Sequence, residues 1–176
     1  MPHQILTSAK SAMLKEYKDH VEERLQQGIP PLPLNAEQVA DLVELLKSPP
    51  AGEEEFILDL IKNRTPAGVD PAAYVKAAFL TALAKGETSS PLIDKKLATE
   101  LLGTMLGGYN VESLIKLLKD EEVGAIAADG LSKTLLMFNA KHEVIELAAE
   151  NENAKRVVES WSNGEWLSLI HISEPT

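Results

Sequence analysis

Three consecutive carboxylates, Glu53, Glu54 and Glu55, and four histidines, His3, His20, His142 and His171, are the side chains of this 176-residue chain best suited to chemistry. A run of carboxylates could hold a hard cation such as calcium or magnesium. The same three residues stand where a helix opens, and negative charge there is stabilised by the first-turn dipole; that is the reading expected here. The histidines are scattered, with no His-x-x-x-His spacing to build a metal site. His20 and His142 fall in or beside helices and are expected at the surface. With no cysteine in the chain, there is no disulfide, no thiolate zinc site and no cysteine-held iron–sulfur cluster. No nucleophile lies beside a base in any recognisable pattern. Catalytic, cofactor-binding and metal residues are therefore assigned as none, and the chain reads as a scaffold.

Other motifs resolve the same way. In "GIPPLPL", Pro30 and Pro33 form a P-x-x-P that could adopt polyproline II. Its place between two helical stretches, with Leu32 and Leu34 free to pack, makes it a rigid connector. "LLGTMLGGYN" resembles a phosphate loop only in its glycines, since it follows no strand and lacks G-x-G-x-x-G and the G-K-[ST] ending. Gly107 and Gly108 are expected to end one helix and Asn110 to cap the next. Gly103, within the helix, suits close helix packing. Trp161 and Trp166 could anchor a partner, or pack on the preceding helix or on a domain further along. A chain cut there is expected to leave both partly uncovered and to self-associate weakly.

The elements behind these residues are helical. Hydrophobic residues make up 44%, charged residues 25% and aromatics 5%, with a net charge of −10. That composition suits an Ala/Leu-packed helical protein and repels a phosphate backbone, so nucleic-acid binding is disfavoured. No apolar run approaches the ~18 residues of a membrane span and no signal-peptide core opens the chain; a cytoplasmic protein is expected.

"EQVADLVELLKS" places Val39, Leu42, Val43, Leu45 and Leu46 on one stripe, behind a capping box of Asn35 and Gln38. "EEEFILDLIKNR" aligns Phe56, Ile57, Leu60 and Ile61. Asp70–Pro71 opens a helix running to Gly86, with Val75, Ala78, Phe79, Ala82 and Leu83 inward. Helices follow near Asp94–Met105 and in "VESLIKLLKD", then over Glu122–Gly130, Leu131–Phe138 and Glu143–Ser162. No period-two alternation of β-branched residues occurs. The fold class is all-α. Helices so short must lean on neighbours, and short connections favour antiparallel pairs, which gives a HEAT-like α-solenoid or array of helix pairs.

From Met13 to Trp166 the chain resembles the N-terminal HEAT-like domain of the bacterial aconitase B family. The resemblance is carried in order by "MLKEYKDHVEER", "LVELLKSPPAGEEEFILDLIKNRTPAGVDPAAYVKAAFLTALAKGE", "ELLGTMLGGYN", "LSKTLLMF" and "AKRVVESWSNGEW". It implies a parent aconitate hydratase, a lyase of the tricarboxylic acid cycle that interconverts citrate and isocitrate through cis-aconitate. It also implies a [4Fe–4S] cluster held by three cysteines in later domains, none of which maps onto this chain. The fragment's implied part is association and walling the route to the active site, with the downstream catalytic domains as partner and a homodimer left open. Messenger-RNA binding by some members gains no support from this acidic segment.

Both ends stand outside the resemblance. Residues 1–12 are expected to be an upstream extension or a mis-called start, since family members commonly begin at a Met-Leu-x-Glu-Tyr stretch. The final "LSLIHISEPT", 167–176, resembles the translation of a transposase-type sequencing adapter and is expected not to be native. The rival reading is a stand-alone α-solenoid adaptor that ends naturally near Trp166.

Overall fold

The structure, a computed structural model, describes residues 2–106, 108–133 and 138–162. Among them the chain forms α1 Pro2–Gln26, α2 Ala36–Lys47, α3 Glu54–Asn63, α4 Pro71–Lys85, α5 Lys95–Thr104, α6 Val111–Leu117, α7 Gly124–Ser132, α8 Phe138–Leu147 and α9 Glu152–Ser162, with no strand. The all-α expectation holds.

Local chemistry sets most boundaries. Asn35 and Gln38 close a reciprocal capping box at α2, the Asn35 side chain accepting from the Gln38 N–H and the Gln38 side chain accepting from the Asn35 N–H, both at 2.9 Å. Asp70 accepts from the Ala72 N–H ahead of Pro71, and Asp94 from the Leu97 N–H at 2.7 Å. Helix α4 ends on Gly86 at φ +77°, a left-handed conformation that glycine adopts without the Cβ penalty.

Three boundaries differ from the sequence reading. The stretch Glu143–Ser162 is two helices, because Asn151 turns the chain between them. Its side-chain oxygen accepts from the Ala154 N–H at 2.9 Å and so starts α9. Asp120 accepts from the N–H groups of Glu122 and Val123, which delays α7 to Gly124. Helix α7 then runs through Leu131 to Ser132 without a break, and the rest of the expected Leu131–Phe138 helix lies partly outside the described residues.

Successive helices pack as pairs, α2 with α3, α4 with α5, α6 with α7 and α8 with α9. Pairs stack through α2 on α4 and through α5 on α7 on α9, giving two layers. Where α5 meets α7, Gly103 faces Gly130: a Cβ on Gly130 would stand 2.8 Å from the Gly103 Cα. Close packing at Gly103 was expected, and its partner is a second glycine. Helix α1 lies against α2 and buries Met13, Leu14 and Tyr17.

The core stripes of α2 and α3 match the reading, with Val43 and Phe56 only half-buried. Helix α4 does not. Its buried residues are Ala72, Ala73, Lys76, Ala77, Phe79, Leu80, Leu83 and Ala84, while Ala78 is exposed and Val75 and Ala82 are half-buried. Neighbours on two sides, α2 and α5, cover a wider arc than one amphipathic stripe.

Lys76 is the chemical oddity of that arc. Only 6% exposed, it makes no ion pair with any described residue, and burial pushes its ammonium below the usual 10.5. The charged form is therefore penalised in the native state, and stability should rise as pH climbs through the lowered value towards 10.5. Lys76→Met should stabilise the chain by about 1 kcal/mol at pH 7. The gain should shrink once the amine is neutral in both states. Denaturant melts at neutral and alkaline pH measure both effects.

Candidate functional site

The residues singled out for chemistry are dispersed by the fold. Glu53 precedes α3 and Glu54 and Glu55 lie in its first turn, as the dipole reading expects. Glu53 is held by the Lys18 ammonium at 2.7 Å, and that ammonium also stands 4.9 Å above the Phe56 ring. The pair fastens α1 to the start of α3. Among the described residues no three acidic or histidine side chains converge as a metal would require.

His142 is at the surface facing Glu146 at 3.2 Å. His20, expected at the surface, is half-buried and structural. Its Nε2 accepts from the Leu32 N–H at 3.0 Å, while the Tyr17 hydroxyl donates to the Leu32 carbonyl at 2.7 Å. Arg24 Nε adds a bond to the Pro30 carbonyl at 3.0 Å. The "GIPPLPL" segment is thus strapped along α1 with Leu34 buried, a connector as expected. Leu32, expected to pack, is 54% exposed instead. His3 lies in α1, and His171, Gly107 and Trp166 lie outside the described residues.

Asn110 corrects another expectation. It sits at the start of α6 without a side-chain cap, since its amide donates backwards to the carbonyls of Leu102 at 2.6 Å and Met105 at 3.3 Å. Asn110 therefore satisfies carbonyls at the end of α5, groups that a helix C-terminus leaves without partners. Its own side-chain oxygen is buried without a hydrogen-bond partner among the described residues.

Trp161 is not uncovered. It is 5% exposed, and its indole N–H donates to the Leu131 carbonyl at 3.1 Å. Of the three readings for this residue, packing on an earlier helix of the same chain is the one observed. Self-association through an exposed Trp161 is overturned.

The apolar surface lies elsewhere, on one edge of the stack. The contacts between Gly103 and Gly130 and between Trp161 and Leu131 bring the last turns of α5, α7 and α9 side by side. The connections leading to α2, α4 and α6 meet along that edge. Leu34 N–H donates to the Arg64 carbonyl at 2.8 Å and Gly68 N–H to the Leu106 carbonyl at 3.2 Å. The Tyr109 hydroxyl donates to the Val69 carbonyl at 3.1 Å, and the Tyr74 and Tyr109 rings meet edge to face at 5.4 Å. Of eight exposed large hydrophobic residues among the described ones, six belong to these connections or the turns beside them: Ile29, Leu32, Val69, Tyr74, Leu106 and Tyr109. None was singled out as exposed from sequence. They lie about 40 positions apart in pairs, and only the stitched loops gather them.

Fold and site together define a stacked-helix scaffold with an apolar edge and no reactive centre among the described residues. A family model described as "Aconitate B N-terminal domain" matches residues 16–167. The chain belongs to this aconitase B N-terminal domain family. It is 63% identical over 155 residues to aconitate hydratase B of Pseudomonas aeruginosa, covering 88% of this chain and 18% of that protein. The corresponding figures are 60% over 155 residues, again 88% and 18%, for aconitate hydratase B of Escherichia coli. For that of Helicobacter pylori they are 44% over 155 residues, 87% and 18%. The chain thus spans under a fifth of the length of these relatives. No described helix is long and apolar enough to cross a membrane.

Proposed function

We propose that residues 13–166 are the N-terminal helical domain of a cytoplasmic aconitate hydratase, which isomerises citrate to isocitrate, and that this chain alone is catalytically inert. The observation that carries the reading is the family match over residues 16–167 together with relatives named aconitate hydratase B. In the whole protein the domain serves association and borders the route to the active site, and the downstream domains are its first partner. The family match, which begins at residue 16, supports a domain start near Met13. Residues 167–176 are proposed as adapter-derived.

The iron–sulfur cluster implied for the parent does not fit this chain, which has no cysteine to hold it. No step of the reaction is assigned to residues here. The purified chain should therefore show helical circular dichroism and no conversion of citrate, isocitrate or cis-aconitate after iron–sulfur reconstitution. Turnover above a reconstituted blank would refute inertness. Sequencing the gene past the Trp166 codon tests the parentage. Continuation into cysteine-bearing domains supports the hydratase, and an immediate natural stop favours the adaptor.

A further inference from the structure

We propose that the edge bearing Val69, Tyr74, Leu106 and Tyr109 is the face on which the downstream part of the full-length polypeptide docks. The inference rests on the reading of this chain as one domain of a longer hydratase and adds the surface through which it joins the remainder.

Three observations converge. The first is exposure. Val69 is 75%, Leu106 68% and Tyr74 59% exposed, although each sits beside a tied loop. Contiguous apolar surface rimmed by polar groups marks an interaction site on a soluble protein, and tyrosine is enriched at the centres of interfaces.

The second is order. The edge is held by backbone bonds from Leu34 to Arg64 and from Gly68 to Leu106, by the Tyr109 hydroxyl on the Val69 carbonyl and by the packed tyrosine rings. A surface already ordered loses little conformational entropy on docking.

The third is direction, and it selects the occupant. Helix α9 lies beside α7 with Trp161 on Leu131, so its final turn is on this same edge, next in line after the ends of α5 and α7. Ser162, the last described residue, thus lies on the edge that carries the patch. In the relatives more than four-fifths of the length lies outside the matched segment. A tethered domain emerging beside an apolar face meets it at high effective concentration, with no need for a separate partner.

The test is side-chain footprinting by hydroxyl radicals, read by mass spectrometry. It compares the 176-residue chain with a full-length chimera in which residues 13–166 replace the matching segment of the Pseudomonas aeruginosa relative. Labelling of Val69, Tyr74, Leu106 and Tyr109 should fall at least about five-fold in the chimera, as for side chains taken into an interface core. Ile145 on α8, 45% exposed, serves as comparator. The double variant Val69→Asp/Leu106→Asp should restore labelling of the two tyrosines in the chimera while leaving the melting of the 176-residue chain unchanged. Equal labelling in both proteins overturns the docking. So does protection that develops in the 176-residue chain as its concentration rises, which would assign the face to a second copy. Turnover of citrate by the chimera reports on the functional reading separately, so either conclusion can fail without the other.

Discussion

Trp161→Ala should cost about 3–5 kcal/mol, the range for emptying a large buried aromatic site. The indole is 5% exposed and its N–H donates to the Leu131 carbonyl near the end of α7, where the last carbonyls of a helix lack an intrahelical N–H donor. Alanine removes the packing between α7 and α9 and takes the indole donor from that carbonyl. Trp161→Phe keeps most of the apolar contact and loses only the hydrogen bond, so about 1 kcal/mol is expected. Urea titration followed by circular dichroism ranks the two. Equal, small losses for both would mean that the indole contributes nothing to holding α9.

Gly130→Ala should destabilise the fold by about 1–3 kcal/mol, although alanine inside a helix is ordinarily favoured over glycine by about 1 kcal/mol. The sign reverses because the added methyl would stand 2.8 Å from the Gly103 Cα, a backbone atom that no rotamer change can move aside. Helices α5 and α7 must separate, and the leucines packed around the crossing lose contact. Gly103→Ala meets the Gly130 Cα at 3.0 Å and should show the same sign with a smaller size. The two effects should not add, since one separation relieves both clashes. Thermal melts of the two single variants and the double variant test this, and a raised midpoint for Gly130→Ala would overturn it.

Features that depend on neighbours in sequence were legible before the structure. The Asn35–Gln38 box, the Asp70–Pro71 start and the Gly86 stop each need only a few adjacent residues, and each is where the motif placed it. Features that depend on distant partners were not. Asn110 has the side chain of a helix start, yet Leu102 and Met105 claim its amide. Asn151 stands in a run of helix-compatible residues and breaks it, its side chain capping α9 and also reaching the Leu118 carbonyl at 3.3 Å. Periodicity registers one contact face, whereas α4 has two, so its buried arc is wider than its apolar stripe. Family membership was legible for a different reason, being carried by long blocks of matching residues rather than by any reactive group. The apolar edge was the least legible, because its members become neighbours only when successive turns are laid beside one another.

The meeting of Gly103 and Gly130 also has a mechanical side. In a stack each pair touches chiefly the next, so the tilt set at one crossing is inherited by everything beyond it. The two bare α-carbons act as a hinge pin of fixed thickness, and α8 and α9 ride on the far arm. A single methyl group there would swing the exit of the polypeptide relative to its entry, much as a shim under one stair displaces the landing more than the step.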